Sequence, residues 1–394
     1  MTHAIPTGVG CSEADLAIED IQAWAISFPV AAENSVRLGV GRARKRDAVV
    51  VKVTTANGLV GWGESHHGRA HSSIAHLVQH ALKPLIVGMS ASNVQGVWQR
   101  IYNAQLVAMG TGAACVLAMS GIDMALWDIR GKAVGWPLYR LLGGSSKALP
   151  AYAGGVALGW QEPAALVDEA VEHVEAGYKA IKLRLGDTPE RDIARVAAIR
   201  KAFGPDIEIL TDANSAYTLA DARRVIPQLD ALDVGWLEEP FPAHDYRSYE
   251  QARAYGHVPF AAGENHYTRF EFNRLVDERI VGVLQPDLSK TGGVTETMRI
   301  AALGSAHKLP VHPHSSMTGI NMAATLHVLA AIEGNGYFEA DVSRGNLFRD
   351  ELVATPFRID SDGHVRPSDA PGIGVEVDED FIRAHPAIEG PAYA

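Results

Sequence analysis

Hydrophobic and polar positions divide the chain into two regions with different patterns. From Leu149 to about Val342, short apolar runs alternate with amphipathic stretches such as Ala164–Ala176 and Ile193–Ala202. The runs predict buried parallel strands, and the stretches between them predict helices. The predicted strands are Leu149–Ala153, Ala180–Arg184, Ile207–Asp212, Val234–Glu238, Phe260–Glu264, Val281–Asp287, Leu309–His314 and Gly336–Glu339. Eight strand–helix units favour a (β/α) barrel, and the irregular last unit indicates a modified one.

The part of the chain before the barrel predicts a smaller α+β region. Its strand patterns are Ile18–Val30, Ala48–Thr54 and, after a hairpin at Asn57-Gly58, Leu59–Glu64. A helical pattern follows, and it is clearest at Cys115–Lys132. We therefore predict an N-terminal extension (1–16), an α+β domain (17–147), a barrel (148–351) and a tail (352–394) that packs on the α+β domain.

Three successive barrel strands are predicted to end in a carboxylate. Asp212, Glu238 and Glu264 are spaced 26 residues apart, about the length of one strand–helix unit. Acids at these positions often cap the following helix, and this explanation would suffice for any one of them. Three at one barrel mouth would repel each other strongly, so we predict that they bind a divalent cation. Oxygen ligands favour Mg²⁺, with Mn²⁺ as the alternative.

Other strand ends carry groups suited to acid–base chemistry. Lys182 and Arg184 share one face of the second strand, where they could hold a substrate carboxylate. Asp287 and His314 end the sixth and seventh strands, so the acid could orient the imidazole as a general base. Glu339 ends the eighth strand and could bind substrate or supply a further acid.

Two polar loops of the N-terminal region could contact a ligand. Ala31–Arg46 is rich in arginine, which is typical of a solvated loop and also of a lid that attracts an anion. Ser65–Arg69 contains the adjacent residues His66 and His67, a pair that occurs on exposed loops as readily as in binding sites. Substrate specificity is expected in Ala31–Arg46 and in Ser65–His71, with His66 as a candidate contact.

Composition and charge limit the partners. The chain has 394 residues, 47% apolar and 21% charged, and its net charge of −11 argues against a nucleic-acid-binding surface. Its two cysteines, Cys11 and Cys115, have no metal-ligand spacing and imply neither a disulfide framework nor a zinc site. No signal peptide or membrane-span pattern is present, so we expect a cytoplasmic protein with a small-molecule substrate and no membrane partner.

With these residues placed, the chain resembles the enolase superfamily and, within it, the mandelate racemase group. The resemblance covers nearly the whole chain in order. It is carried by Gly-Trp-Gly-Glu (61–64), Ser-Gly-Ile-Asp-Met-Ala-Leu-Trp-Asp (120–128), Lys-Leu-Arg (182–184), Asp-Ala-Asn (212–214), Trp-Leu-Glu-Glu-Pro (236–240), Gly-Glu-Asn (263–265), Gln-Pro-Asp (285–287) and Pro-His (313–314).

The resemblance implies an α+β capping domain, closed by the C-terminal tail, over a modified barrel. It also implies that Asp212, Glu238 and Glu264 bind Mg²⁺ and that His314, paired with Asp287, is a general base or acid. Asn214 and Glu339 would surround the bound ligand. A homo-oligomer is implied as well, with an octamer as one candidate.

One departure from the family directs the functional prediction. The shared chemistry is removal of the proton α to a carboxylate, and racemases of this type have a second lysine where this chain has Arg184. Arginine is a poor base and a good carboxylate clamp. A single base, His314, suits elimination of water from an acid sugar, an aldonate or aldarate, to a 2-keto-3-deoxy acid. An acid-sugar lactone cycloisomerase is the runner-up, and a racemase or epimerase, with Lys182 as the other base, comes third.

Two further classes make different predictions. A barrel aldolase would use Lys182 as a Schiff-base lysine and would not need the three carboxylates. A binding protein descended from an enzyme would have lost some of the chemistry-bearing residues. Because the metal ligands, Asp287 and His314 are all present, both classes are less favoured than a metal-dependent lyase.

Overall fold

The computed structural model describes residues 15–334, 336–354 and 356–394. Cys11 and most of the predicted N-terminal extension (1–16) lie outside these residues. The strands of the N-terminal region are β1 (Ile18–Pro29), β2 (Arg37–Leu38), β3 (Gly41–Arg42), β4 (Lys45–Thr55) and β5 (Val60–Ser65). Three of them form an antiparallel sheet of order β1–β4–β5 covered by helices, and β2 pairs with β3 in a separate two-stranded sheet. Its helices are α1 (His71–Leu77), α2 (Lys83–Ile86), α3 (Val94–Ile101), α4 (Val107–Met109), α5 (Ala113–Val134) and α6 (Leu138–Leu141).

Helix α5 packs directly on β5 because the strand has glycines where the helix approaches. A Cβ on Gly61 would lie 2.1 Å from the carbonyl oxygen of Ala125, and one on Gly63 would lie 2.0 Å from that of Gly121. The contact is further fixed by Asp128 of α5, which accepts a hydrogen bond from the Trp62 amide at 3.0 Å. Gly-Trp-Gly-Glu therefore serves helix–sheet packing.

The second region is a curled parallel sheet surrounded by helices. Its strands run in the order β11–β10–β9–β8–β7–β6–β12. They are β6 (Leu149–Gly154), β7 (Ala180–Arg184), β8 (Glu208–Asp212), β9 (Val234–Glu238), β10 (Phe260–Ala262), β11 (Val283–Leu284) and β12 (Phe338–Asp341). The helices are α7 (Pro163–Glu175), α8 (Pro189–Phe203), α9 (Leu219–Ala231), α10 (Tyr246–Ala252), α11 (Thr268–Asp277), α12 (Gly293–Ala306) and α13 (Gly319–Ala331).

The predicted seventh strand, Leu309–His314, is reduced to one bridge between Leu284 and Val311. The reason lies in Pro310 and Pro313, which have no amide hydrogen to donate to a ladder. The gap towards β12 is instead spanned by a side chain, since Nδ1 of His312 accepts a hydrogen bond from the Tyr337 amide at 2.7 Å. The barrel is therefore modified at the position where the sequence is richest in proline.

Aromatic side chains fill the inside of the sheet below the strand ends. Tyr152, Trp236 and Tyr337 pack together, and His312 stacks on Trp236 with ring centroids 5.2 Å apart. His312 therefore belongs to the packed interior. The same holds for His266, which is buried with its Nε2 3.1 Å from the carbonyl oxygen of Ala243.

The C-terminal segment contacts both regions. It contains α14 (Leu347–Asp350), β13 (His364–Val365), which pairs with β6, and α15 (Glu379–Ala384). Glu379 forms an ion pair with Lys52 of β4 at 2.6 Å, and Pro386 bridges to Ile26 of β1. No helix within the described ranges is long and apolar enough to cross a membrane.

Two buried carboxyl groups between the regions should make stability depend on pH. Glu64 of β5 accepts a hydrogen bond from the Thr318 amide at 3.1 Å, and Asp123 of α5 accepts one from the Thr295 amide at 2.9 Å. Burial raises the pKa of Glu64 to about 8 and that of Asp123 to about 7, although the hydrogen bonds oppose it. In an unfolded chain both groups ionise near pH 4. The folded state therefore gains stability from retaining their protons.

We expect the free energy of unfolding, measured with urea, to fall as the pH rises from about 4 to about 8. The stabilisation is complete below the unfolded pKa and lost above the folded pKa. The double variant Glu64→Gln/Asp123→Asn cannot ionise at these positions, so its stability should fall less steeply over the same range. Equal slopes for the two proteins would show that these carboxyl groups do not govern the pH dependence.

Candidate active site

Three carboxylates lie at the carboxyl ends of neighbouring parallel strands. Asp212 ends β8 and Glu238 ends β9, and the two residues are paired across the sheet. Glu264 follows β10 after a turn at Gly263, where a Cβ would lie 2.6 Å from the backbone carbon of Gln285. Glycine is therefore required at that turn. The structure places all three acids at the same end of the sheet.

Lys182 and Arg184 project from β7 towards these acids. Nζ of Lys182 donates to the two oxygens of Glu238 at 2.9 and 3.1 Å and lies 2.9 Å from Glu339. Arg184 donates to Asp212. Burial disfavours the charged form of both groups. Glu238 beside Lys182 and Asp212 beside Arg184 contribute most to outweighing this effect, so the pKa of each cation is raised above its ordinary value. Both side chains are therefore held as cations.

His314 lies between two carboxylates. Its Nδ1 is 2.6 Å from Asp287, which also accepts hydrogen bonds from Ser289 (amide 2.7 Å, hydroxyl 2.6 Å) and from Asn321 at 3.1 Å. Its Nε2 is 2.7 Å from Glu264. Burial disfavours the charged imidazole, but Glu264 and other acids outweigh it and raise the pKa of His314 well above its ordinary value. Asp287 thus fixes the ring through Nδ1, and Nε2, which contacts Glu264 in this structure, is the nitrogen that remains for chemistry.

Acidic groups outnumber basic groups at these strand ends. Burial raises the pKa of Glu238 to about 7 despite Lys182, and it raises the pKa of Glu239 well above its ordinary value. Ionising all the acids would therefore require more positive charge than the side chains supply. The acids are Asp212, Glu238, Glu239, Glu264, Asp287 and Glu339, and the basic groups that contact them are Lys182, Arg184, Lys290 and His314.

The donor set fits a magnesium ion, although the side chains are not arranged around one. Within the described residues, no group of three His, Cys, Asp or Glu side chains could hold a metal as it stands. Asp212, Glu238 and Glu264 instead contact Arg184, Lys182 and His314, respectively. An all-carboxylate set with surplus negative charge is what Mg²⁺ prefers. Binding it would require these carboxylates to turn from their present partners, and loss of the Glu264 contact would favour neutral His314.

Of the other residues predicted to contact a ligand, two line the cavity and one does not. Asn214 and His66 line the cavity at the strand ends. The side-chain oxygen of Asn214 is buried without a hydrogen-bond partner among the described residues, which leaves an acceptor for a ligand. Glu339 does not line the cavity; it contacts Lys182 and accepts a hydrogen bond from the Ser315 amide at 3.2 Å. In this structure its contacts are therefore with the protein and not with the cavity.

Several cavity residues, Glu239 and Lys290 among them, were not singled out from the sequence. Glu239 follows Glu238, so strand alternation would point its side chain away from the cavity. Its left-handed backbone (φ 37°) instead brings the side chain to the cavity. There it accepts hydrogen bonds from Asn265 at 3.0 and 2.9 Å. Lys290 lies on a loop three residues after Asp287 and is 3.4 Å from Glu264. A loop position has no periodicity that could have identified it.

The cavity has a volume of about 260 Å³ and is closed by three parts of the chain. Leu38 and Val40 come from the loop 31–46, His66 from the loop 65–69, and Tyr393 from the C-terminal segment. The arginines that would make the first loop an anion-attracting lid, one of the two alternatives for that loop, do not line this cavity. Arg37 lies over the ring of Trp160, Arg42 donates to the Ser35 carbonyl, and Arg46 forms an ion pair with Asp341.

Two protein families match consecutive parts of the chain. Residues 165–381 match the family described as enolase C-terminal domain-like. Residues 20–143 match the N-terminal domain of the mandelate racemase/muconate lactonizing enzyme family. Together the two matches cover the sheet-and-helix region before the barrel and nearly all of the barrel.

Several named relatives are similar to this chain over most of their length. The chain is 34% identical over 346 residues to D-galactonate dehydratase of Verminephrobacter eiseniae, covering 84% of this chain and 89% of the relative. It is 34% identical over 334 residues to arabinonate dehydratase of Saccharolobus solfataricus, covering 84% and 88%. It is 32% identical over 350 residues to D-galactarolactone cycloisomerase of Agrobacterium fabrum, covering 86% and 91%.

Solved structures agree with the sequence relatives. A member of the enolase superfamily from Polaromonas sp. JS666 is 52% identical, with a TM-score of 0.93 over 96% of this chain and 100% of the other. A racemase from Streptomyces coelicolor A3(2), solved with bound magnesium, is 27% identical, with a TM-score of 0.85 over 93% and 99%. The chain therefore belongs to the mandelate racemase/muconate lactonizing enzyme group of the enolase superfamily.

Proposed function

We propose that this enzyme uses Mg²⁺ to remove the α-proton of an acid sugar and then eliminates the β-hydroxyl as water. The observation that carries the proposal is the contact between Asp287 and His314 beside two cations that are poor bases. Asp287 orients His314 through Nδ1, and Nε2 can accept a proton once Glu264 turns away from it, whereas Lys182 and Arg184 are both held as cations. One base and two cations suit elimination. The names of two similar proteins, D-galactonate dehydratase and arabinonate dehydratase, support the substrate class.

In the proposed reaction, Nε2 of His314 takes the proton from the carbon next to the carboxylate. Lys182 and Arg184 stabilise the negative charge that develops on the carboxylate oxygens, because both remain protonated in the buried site. A bound Mg²⁺ would supply further positive charge to the same oxygens. The electron pair of the broken C–H bond forms a C=C bond as the β C–O bond breaks. His314 returns the proton to the leaving hydroxyl, and the enol product becomes a 2-keto-3-deoxy acid.

The alternatives are less well supported by the same contacts. A racemase needs an acid–base group on each face of the substrate, and Lys182, the candidate for the second, contacts two carboxylates. A Schiff-base aldolase needs a neutral lysine, which these carboxylates also oppose. A lactone cycloisomerase needs one base, as dehydration does, and a similar protein bears that name. It therefore stays as the second candidate.

A screen of aldonates and aldarates tests the proposed reaction. With Mg²⁺ present, purified enzyme is expected to release 2-keto-3-deoxy acids, detected as semicarbazones, and a chelator should abolish the signal. His314→Asn and Glu238→Gln should also abolish it, which would exclude a contaminating activity. Retained turnover in chelator would contradict the metal requirement. Turnover without a keto product would favour the cycloisomerase.

A further inference from the structure

One cation at the cavity lacks a carboxylate partner. Three permanently charged basic residues line the cavity: Arg184, Lys290 and Arg69. Arg184 is paired with Asp212 and Lys290 with Glu264. Arg69 makes no ion pair with any residue that the structure describes. Arg69 is exposed whereas Arg184 is buried, which places Arg69 on the solvent side of the cavity.

The loop that carries Arg69 is held in an unusual conformation. Gly68 and Arg69 are both left-handed, with φ of 54° and 59°. Two histidine side chains hold this turn, since Nδ1 of His66 accepts from the Gly68 amide at 3.1 Å and Nδ1 of His67 accepts from the Arg69 amide at 3.0 Å. The paired histidines therefore fix the backbone of Arg69. A left-handed backbone costs free energy at residues other than glycine, and such strained residues cluster at functional sites.

Tyr393 lies beside Arg69 at the same cavity. The guanidinium of Arg69 is 5.8 Å from the centre of the Tyr393 ring, close enough for a cation–π contact. The tyrosine hydroxyl has no hydrogen-bond partner among the described residues. The two side chains thus place a free guanidinium and a free phenol at one end of the cavity.

Backbone pairing holds Tyr393 in place. The amides of Arg42 and Arg44 donate to the carbonyl oxygens of Ala394 and Ala392, both at 2.8 Å, and the Ala394 amide donates back to Arg42 at 3.0 Å. Tyr393 therefore sits in a short antiparallel ladder with the loop 31–46. Because the same loop contributes Leu38 to the cavity, the last residues and the loop form one wall.

We propose that Arg69 and Tyr393 bind a second carboxylate at the far end of the substrate, so that the preferred acid sugar is a diacid, an aldarate. This inference rests on the proposed function, which assigns the first carboxylate to the buried end beside Lys182 and Arg184. A guanidinium binds a carboxylate through two parallel hydrogen bonds, and the phenol can donate a third. A terminal hydroxyl, as in an aldonate, would leave the charge of Arg69 uncompensated.

Kinetics on matched substrates test the inference. For an aldarate and the aldonate of the same configuration, the wild-type enzyme should show the higher kcat/KM on the aldarate. Arg69→Met should lower kcat/KM for the aldarate about 50-fold, mainly through KM, and leave the aldonate within about 3-fold. Tyr393→Phe should lower the aldarate value about 5-fold. Arg44→Met is the matched control, because Arg44 is exposed near Tyr393 but does not line the cavity.

Binding to an inactive enzyme separates this inference from the proposed reaction. In the His314→Asn background with Mg²⁺, calorimetry should show tighter binding of the aldarate than of the aldonate, and Arg69→Met should remove the difference. That result would support the diacid site even if no acid sugar were turned over. Equal binding of the two acids, or equal losses for both in Arg69→Met, would overturn it.

Discussion

Replacing His314 by asparagine is expected to lower kcat for the acid sugar about 10³-fold while the enzyme stays folded. Asparagine can keep a hydrogen bond to Asp287 but cannot accept the α-proton. Asp287 also retains its bonds from Ser289 and Asn321, so the loss should not expose an unpaired carboxylate. Substrate binding should change much less than kcat, because Lys182 and Arg184 remain.

The rate is measured by semicarbazone formation, and exchange of the α-proton with solvent deuterium is followed separately. His307→Asn is a suitable control, since His307 is exposed and does not line the active-site cavity. Loss of dehydration with full α-proton exchange would assign the proton abstraction to another residue. Wild-type rates in His314→Asn would refute the proposed mechanism.

Replacing Glu238 by glutamine is expected to weaken Mg²⁺ binding on the order of 100-fold and to reduce turnover in proportion. The amide has nearly the shape of the carboxylate but lacks the charge that attracts a cation. The stability of the folded protein should change little or increase. Burial already raises the pKa of Glu238 to about 7, which shows that its charge is costly here, and Lys182 keeps its contact with Glu339.

Calorimetric titration with Mg²⁺ measures the affinity, and thermal unfolding reports stability. Glu250→Gln, a change at an exposed position on α10, controls for the loss of one negative charge. Unchanged Mg²⁺ affinity in Glu238→Gln would show that the three strand-end acids are not the metal site. A large loss of stability would mean that Glu238 serves the fold through Lys182 before it serves a metal.

Much of the fold could be predicted because buried parallel strands have a distinct pattern. Ala180–Arg184 and Val234–Glu238 have the predicted bounds. The modified barrel and the enolase-superfamily resemblance are confirmed by the family matches and the similar structures. The weakness of the seventh strand follows from its prolines. The hydrogen bond from the Tyr337 amide to the His312 side chain spans the gap that this strand leaves. It could not be predicted, because it joins residues far apart in the sequence.

The site was predictable where chemistry is tied to strand ends. The proximity of Asp287 and His314 followed from the order of neighbouring strands, and the structure places them in contact. Glu239 was missed because its position depends on a left-handed backbone conformation that residue type does not reveal. Lys290 was missed because a loop position has no periodicity that could identify it.

For residues 31–46 the sequence left a solvated loop and an anion-attracting lid open as alternatives. In the structure the loop turns Leu38 and Val40, and none of its arginines, to the cavity. Arg37, Arg42 and Arg46 have partners elsewhere in the protein. The assignment of Mg²⁺ ligands, the oligomeric state and the cytoplasmic location stay predictions.

Proton NMR of the reaction in D₂O tests the central claim most directly. Wild-type enzyme with Mg²⁺ and its acid sugar should yield a 2-keto-3-deoxy acid with one deuterium at C3. Deuterium enters when the enol becomes the ketone, after His314 has removed the α-proton. Product formation should stop in His314→Asn. The contradicting result is a product with deuterium at C2 and the inverted configuration at that carbon, formed without any keto acid. That result would identify a racemase or epimerase.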